Sequence, residues 1–185
     1  MRQNKMKTLT VFLGSAETQN QAILQAIEEL AQLLAKHHIT LIYGGCCLGL
    51  MGRLADAALN AGVDVIGVIP ESFLYRELPH PHLTQLIKVE TLAQRIQVMQ
   101  DMGDGFMVFP GGLGTLEELF STWNQVRLAI IDKPMGLLNI EQFYTPLQQY
   151  LVQTIQKEGF VNAKAVNTPY IADDVTSLYN MMRSK

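Results

Sequence analysis

Two rhythms of apolar positions run along this chain. Short runs dense in β-branched and aromatic residues occupy 8–13 (TLTVFL), 39–43, 63–69 (VDVIGVI), 86–89, 106–109 and 134–138, and each reads as a buried strand. Between them the spacing lengthens to the helical period. Ile23, Ile27, Leu30 and Leu34 recur at i, i+4, i+7 and i+11, an amphipathic helix ending near His37-His38. Helices are also predicted over 50–60, stopped by Gly62, over 91–102, from Thr115 to about Ile131, and over 143–157. The stretch 71–82 is polar, carries Pro and His, and is too long for a tight turn, so it reads as a functional loop. After Gly159 the pattern weakens, with one terminal helix expected from about Asp174.

Strand and helix therefore alternate about six times with no long linker. That order predicts one α/β domain spanning residues 1–185, with a mostly parallel sheet and helices on both faces. Ligands of such sheets bind beyond the carboxyl ends of the strands, so the residues after each strand become the ones to read.

Composition narrows the classes. Hydrophobic residues make up 48% of the 185 residues and charged ones 17%, which excludes a disordered chain. A net charge of −3, with no basic tail, argues against nucleic acid as a partner. No apolar run approaches the roughly 18 residues of a membrane span. The basic start leads into a strand-like run without a small-residue cleavage site, so no signal peptide and a cytoplasmic location are expected. Cys46 and Cys47 are adjacent and have no third cysteine to pair with, which excludes a disulfide scaffold. His80-Pro81-His82 lacks further ligands at metal spacing, so these histidines read as surface residues and no metal site is expected.

The strand ends carry the candidate chemistry. The first gives Gly14-Ser15, the second Gly44-Gly45-Cys46-Cys47, and the fifth Pro110-Gly111-Gly112-Leu113-Gly114-Thr115-Leu116-Glu117-Glu118. Glycine loops that enter helices let backbone N–H groups approach an anion. Neither has the lysine of a phosphate-binding P-loop or the spacing of a dinucleotide site, and each can also be an ordinary tight turn. Thr115 and Glu118 have two readings as well: a capping box at a helix start, or a hydroxyl and a carboxylate presented to a ligand. Arg95 sits at the border of the Leu92, Ile96 and Met99 stripe, either as a snorkelling side chain or as a cation aimed at the same edge.

Taken together, YGGCCLGLMG, the loop ending Arg76-Glu77, Arg95, and PGGLGTLEE resemble the Lonely guy family of cytokinin riboside 5′-monophosphate phosphoribohydrolases, long mislabelled lysine decarboxylases. Pro110 to Glu118 matches the family's P-G-G-x-G-T-x-x-E at every fixed position, and the likeness runs from about Lys7 to Phe160. The resemblance implies a Rossmann-like three-layer homodimer that hydrolyses the N-glycosidic bond of a nucleoside 5′-monophosphate without a metal or organic cofactor. It places Arg95 and Glu118 on the catalytic pair. Gly14, Ser15, Gly44, Gly45, Glu77, Gly111, Gly112, Leu113, Gly114, Thr115 and Asn124 become substrate-binding positions. Met51, Met99, Met102 and Met107 enlarge the apolar inventory expected of a dimer. Nothing marks a pyridoxal-phosphate lysine.

This chain departs from the usual family pattern at Ala93, where plant-like members carry His, and at Ile96, where they carry Lys. Gln125-Val126-Arg127 stands for the usual Trp-Ala-Gln, and Cys46-Cys47 for small residues. Molybdenum-cofactor carriers look similar in fold and loops, which keeps a non-catalytic nucleotide or cofactor binder as the alternative. The pairing of Arg95 with Glu118 separates the two, because a carrier needs the glycine loops but not this carboxylate.

Overall fold

A computed structural model describes residues 6–74 and 78–184. Seven strands form one sheet: β1 (Thr8–Phe12), β2 (Thr40–Tyr43), β3 (Val65–Pro70), β4 (Gln85–Val89), β5 (Phe106–Val108), β6 (Met135–Leu138) and β7 (Tyr170–Ala172). Their order is β4-β3-β2-β1-β5-β6-β7, and every neighbouring pair is parallel. The expected α/β class and parallel sheet are thus observed. Chain order reverses between β1 and β5, which pair from Thr10 opposite Phe106 to Phe12 opposite Val108. A crevice opens where successive connections leave a parallel sheet in opposite directions, so this fold puts its binding site beyond Phe12 and Val108.

Side-chain alternation sorts the core into two layers. Leu9, Val11 and Leu13 pack with α1 (Gln21–His37), α2 (Gly49–Asn60) and α7 (Val175–Arg183) on one face. Phe12 points the other way and stacks on Phe106, with ring centroids 6.2 Å apart. That second face is covered by α3 (Leu92–Met102), α4 (Leu113–Arg127) and the segment after β6. Burial on both sides is why the strands read as continuous apolar runs. The α1 stripe is buried as its period predicts, each of Ile27, Leu30 and Leu34 contributing about 1.5–3 kcal/mol. Asn20 caps that helix by accepting from Ala22 N and Ile23 N, and His38 ends it in the left-handed region at φ 55°.

The expected helix from Thr115 to about Ile131 instead begins at Leu113 and ends at Arg127. Glycine at 114 lowers helix propensity, so the pattern hid the first turn. Past Gly159, β7 and the short helix α6 (Ala163–Val166) were not expected. A three-residue, half-buried edge strand leaves too little pattern to read. The helix expected over 143–157 is α5 (Thr145–Tyr150) followed by a π-helical stretch, Leu151–Gln156. Met51, Met99 and Met107 are buried in the two cores and Met102 packs against one, so these methionines carry no signal of a dimer surface. Among the described residues no helix is long and apolar enough to cross a membrane.

Candidate active site

The crevice at the β1/β5 junction is a cavity of about 320 Å³, inside the range of small-molecule sites. Leu13, Gly14, Ser15 and Ala16 form one wall as the chain leaves β1. Gly112, Leu113, Gly114, Thr115, Glu117 and Glu118 form the adjoining wall as it leaves β5 and enters α4. Leu92, Arg95 and Ile96 come from the first turns of α3, Met51 from α2 and Phe73 from the turn after β3.

The start of α4 decides between the two readings of Thr115. Gly112 is the N-cap, without a side-chain cap, which leaves Thr115 at the third helical position rather than at the cap. Its Oγ1 is buried without a hydrogen-bond partner, so the capping box does not form. The hydroxyl side chain packs over Gly111, where a Cβ would collide with it. The first intrahelical bond here is Leu116 N to Gly112 O, at 3.0 Å. The N–H groups of Leu113, Gly114 and Thr115 precede that acceptor pattern and stand at the positive end of the helix dipole. A Cβ at Gly112 or Gly114 would meet nothing within 4 Å, so this turn is open to a ligand.

Arg95 does not snorkel. Thr91 caps α3 by accepting from Gln94 N at 3.1 Å, and the helix then directs Arg95 inward to 6% exposure. Its guanidinium lies on Gly44, where any side chain would occupy the same space. Nη2 stands 3.8 Å from Oε1 of Glu118, itself 6% exposed. That distance is an ion pair but too long for a hydrogen bond. Nε and Nη2 have no hydrogen-bond acceptor among the described residues. Buried donors left open cost about 1–3 kcal/mol each, so a site that keeps them is built for a ligand that accepts.

Two buried phenols stand behind this pair. Burial, and then the nearby Glu118 carboxylate, pushes the Tyr144 hydroxyl well above its usual pKa, and it donates to Phe109 O at 2.7 Å. Tyr43 is pushed up as well, chiefly by burial, and donates to Cys46 O at 3.2 Å. Neither phenol supplies a phenolate near neutral pH.

Of the residues singled out from sequence, Gly14, Ser15, Arg95, Gly112, Leu113, Gly114, Thr115 and Glu118 converge on this cavity. Gly44 and Gly111 lie outside its wall and instead make room for Arg95 and Thr115. Gly45, at φ 78°, turns the chain so that its carbonyl accepts from His80 N at 2.9 Å. Asn124 lies away from the cavity and accepts from Arg127 Nε at 2.8 Å. Glu77 lies outside the described residues.

Met51, Phe73 and Leu92 were not foreseen as lining residues, because an apolar side chain in a wall reads like one in a core. His80 is a correction: expected at the surface, it is 6% exposed and its Nε2 lies 3.0 Å from Asp56 Oδ1. Among the described residues no three His, Cys, Asp or Glu are grouped to hold a metal ion.

The family described as "Possible lysine decarboxylase" matches residues 51–182. A cytokinin riboside 5′-monophosphate phosphoribohydrolase of Rhodococcoides fascians is 37% identical over 179 residues, 96% of this chain and 90% of that one. An Arabidopsis thaliana protein of the same name is 37% identical over 163 residues, 88% of this chain and 76% of that one. Among solved structures, the molybdenum cofactor binding protein of Rippkaea orientalis superposes with a TM-score of 0.72 at 21% identity, covering 98% of each chain. The molybdenum cofactor carrier protein of Chlamydomonas reinhardtii gives 0.69 at 19%, covering 96% of this chain and 98% of that one. These two share the fold. The sequence relatives and the matched family model go further, and by them this chain belongs to the Lonely guy family, still described as possible lysine decarboxylases.

Proposed function

We propose that this protein hydrolyses the N-glycosidic bond of a nucleoside 5′-monophosphate, AMP or an N6-modified AMP of cytokinin type, releasing the base and ribose 5-phosphate. The observation that carries this reading is the buried Arg95–Glu118 pair, 3.8 Å apart, facing the open first turn of α4 across one cavity. Relatives at 37% identity bear the corresponding name. The family's older description does not suit the site, since none of the described residues lining the cavity is a lysine that a decarboxylase's aldehyde cofactor would need.

The chemistry follows from the charges. The 5′-phosphate sits on the N–H groups of Leu113, Gly114 and Thr115 and takes the Thr115 hydroxyl as a further donor. As the C1′–N bond breaks, positive charge grows on the ribose and negative charge on the base. The Glu118 carboxylate stabilises the first and orients the water that adds to C1′, accepting its proton. The departing base keeps the bonding electrons and takes up one proton, so that water divides between the two products. Arg95 remains protonated and acts as a fixed cation, towards developing charge on the base or towards the phosphate.

The reading extends to a cytoplasmic homodimer. Phe120, Leu128 and Ile130, exposed along and just beyond α4, support an apolar contact between copies. Sedimentation should find two chains at micromolar concentration, and a monomer alone would remove that part.

Chromatography of the products tests the activity. Adenine should appear from AMP, and Glu118→Gln should lower its release at least about a thousandfold while nucleotide binding persists. Equal turnover in that variant would remove Glu118 from the mechanism. Tight nucleotide binding by the wild type with no release from any monophosphate would identify a carrier instead.

A further inference from the structure

Helices α3 and α4 meet a second time behind the ion pair. Gln100, five residues beyond Arg95, donates from Nε2 to Oγ1 of Thr122 at 2.9 Å, and Thr122 lies four residues beyond Glu118. At 1.5 Å of rise per residue, this contact is about 6–7.5 Å further along each helix. Gln100 is 1% exposed and Thr122 is fully buried. The same Nε2 lies 3.5 Å from Ser121 Oγ, and Oε1 accepts from Gln125 Nε2 at 2.8 Å. Both sides of the Gln100 amide are thereby engaged with α4. At the end of α3, the carbonyls of Gln100 and Asp101 accept from Lys133 Nζ at 2.8 and 2.9 Å. Lys133 follows the end of α4 by six residues, so that connection also ties the two helices.

We propose that Gln100 is a positioning residue for the hydrolysis, fixing the spacing and register of α3 against α4 and so the Arg95–Glu118 separation. The apolar core that Met99 and Leu119 share is non-directional and tolerates sliding. A hydrogen bond near 2.9 Å with both partners buried does not. The carboxylate and the guanidinium sit on different helices, and 3.8 Å is too long for a hydrogen bond between them. The Gln100 network is a polar cross-link that sets it from behind, without touching the cavity.

The inference rests on the hydrolase reading, so the wild type is measured first, with AMP as substrate. Gln100→Met keeps the length of the side chain and removes the amide. It should lower kcat at least about tenfold while KM stays within about twofold, because a misplacement of about 1 Å costs more in turnover than in binding. Thr122→Val, nearly isosteric, should lower kcat in the same way, and Thr122→Ser should restore it to within about twofold. If Gln100→Met does not fold, the Thr122 pair decides. Folded variants with wild-type kcat, or losses confined to KM, overturn the positioning role and leave the hydrolase reading intact. A wild type that releases no base overturns both.

Discussion

Arg95 rests its guanidinium on the bare α-carbon of Gly44, so closely that a methyl group at residue 44 would overlap Nη2 and crowd Cζ. Gly44 is outside the left-handed region, so alanine meets no backbone strain there and the effect of Gly44→Ala is steric alone. The methyl should push the guanidinium away from Glu118. We expect kcat for base release to fall about a hundredfold, with a stability cost of about 1–3 kcal/mol for the overpacking. Product chromatography beside a thermal melt measures both. Wild-type turnover in a folded Gly44→Ala protein would mean that the guanidinium's position does not matter.

Thr115 offers a cleaner separation of binding from chemistry. Its Oγ1 is buried and without a hydrogen-bond partner, and Oγ1, Cβ and the methyl all pack against Gly111. Thr115→Val keeps that packing and deletes the hydroxyl. A hydrogen bond to a charged group contributes about 1.5–3 kcal/mol, so KM should rise at least about tenfold while kcat changes less than about threefold. Inhibition by ribose 5-phosphate should weaken in parallel. An unchanged KM would move the phosphate away from the first turn of α4.

What the sequence disclosed and what it hid divide along physical lines. The glycine loops, Arg95 and Glu118 were legible because strands end where chemistry begins and because glycine and charge stand out locally. Whether Thr115 capped a helix or faced a ligand depended on where α4 starts, and Gly114 blurred that start. Gly44 and Gly111 looked like ligand-binding positions because the residues that fill the space above them, Arg95 and Thr115, lie on other elements or a turn later. The same limit applies to His80 and to Gln100, whose partners Asp56 and Thr122 are 24 and 22 residues away in sequence. No local pattern records a contact made by tertiary packing.

The buried phenols make stability depend on alkaline pH. Tyr144 and Tyr43 are both held well above the ordinary tyrosine value of 10.0 in the folded protein, chiefly by burial. A group whose folded pKa is raised contributes fully below the unfolded value and loses that contribution as pH climbs beyond it. The unfolded chain therefore releases these protons first, and the melting temperature should begin to fall as pH passes about 10. Tyr144→Phe should make that decline shallower. At neutral pH it should cost about 1 kcal/mol for the hydrogen bond to the Phe109 carbonyl. Melts across the alkaline range would show this, and an unaltered slope in Tyr144→Phe would assign the effect elsewhere.

His80 ties the loop after β3 to the turn on which Arg95 rests. Its backbone N–H donates to Gly45 O at 2.9 Å, Cys47 N donates to Leu78 O at 3.0 Å, and Cys46 bridges Pro79. His82 N donates to the ring's Nδ1 at 3.3 Å, and Nε2 lies 3.0 Å from Asp56 Oδ1. His80→Ala empties a buried position and leaves the His82 N–H without this acceptor. We expect a loss of about 1–3 kcal/mol, read as a fall in melting temperature of roughly 3–10 °C for a chain of this size. Turnover should fall less, since the backbone bonds to Gly45 and Cys47 remain and only the ring's ties to Asp56 and His82 are lost. Asp56→Asn retains a carbonyl acceptor at an exposed position, so it should shift stability by less than about 0.5 kcal/mol. If His80→Ala melts like the wild type, the ring is a passenger and the backbone bridge alone holds the loop.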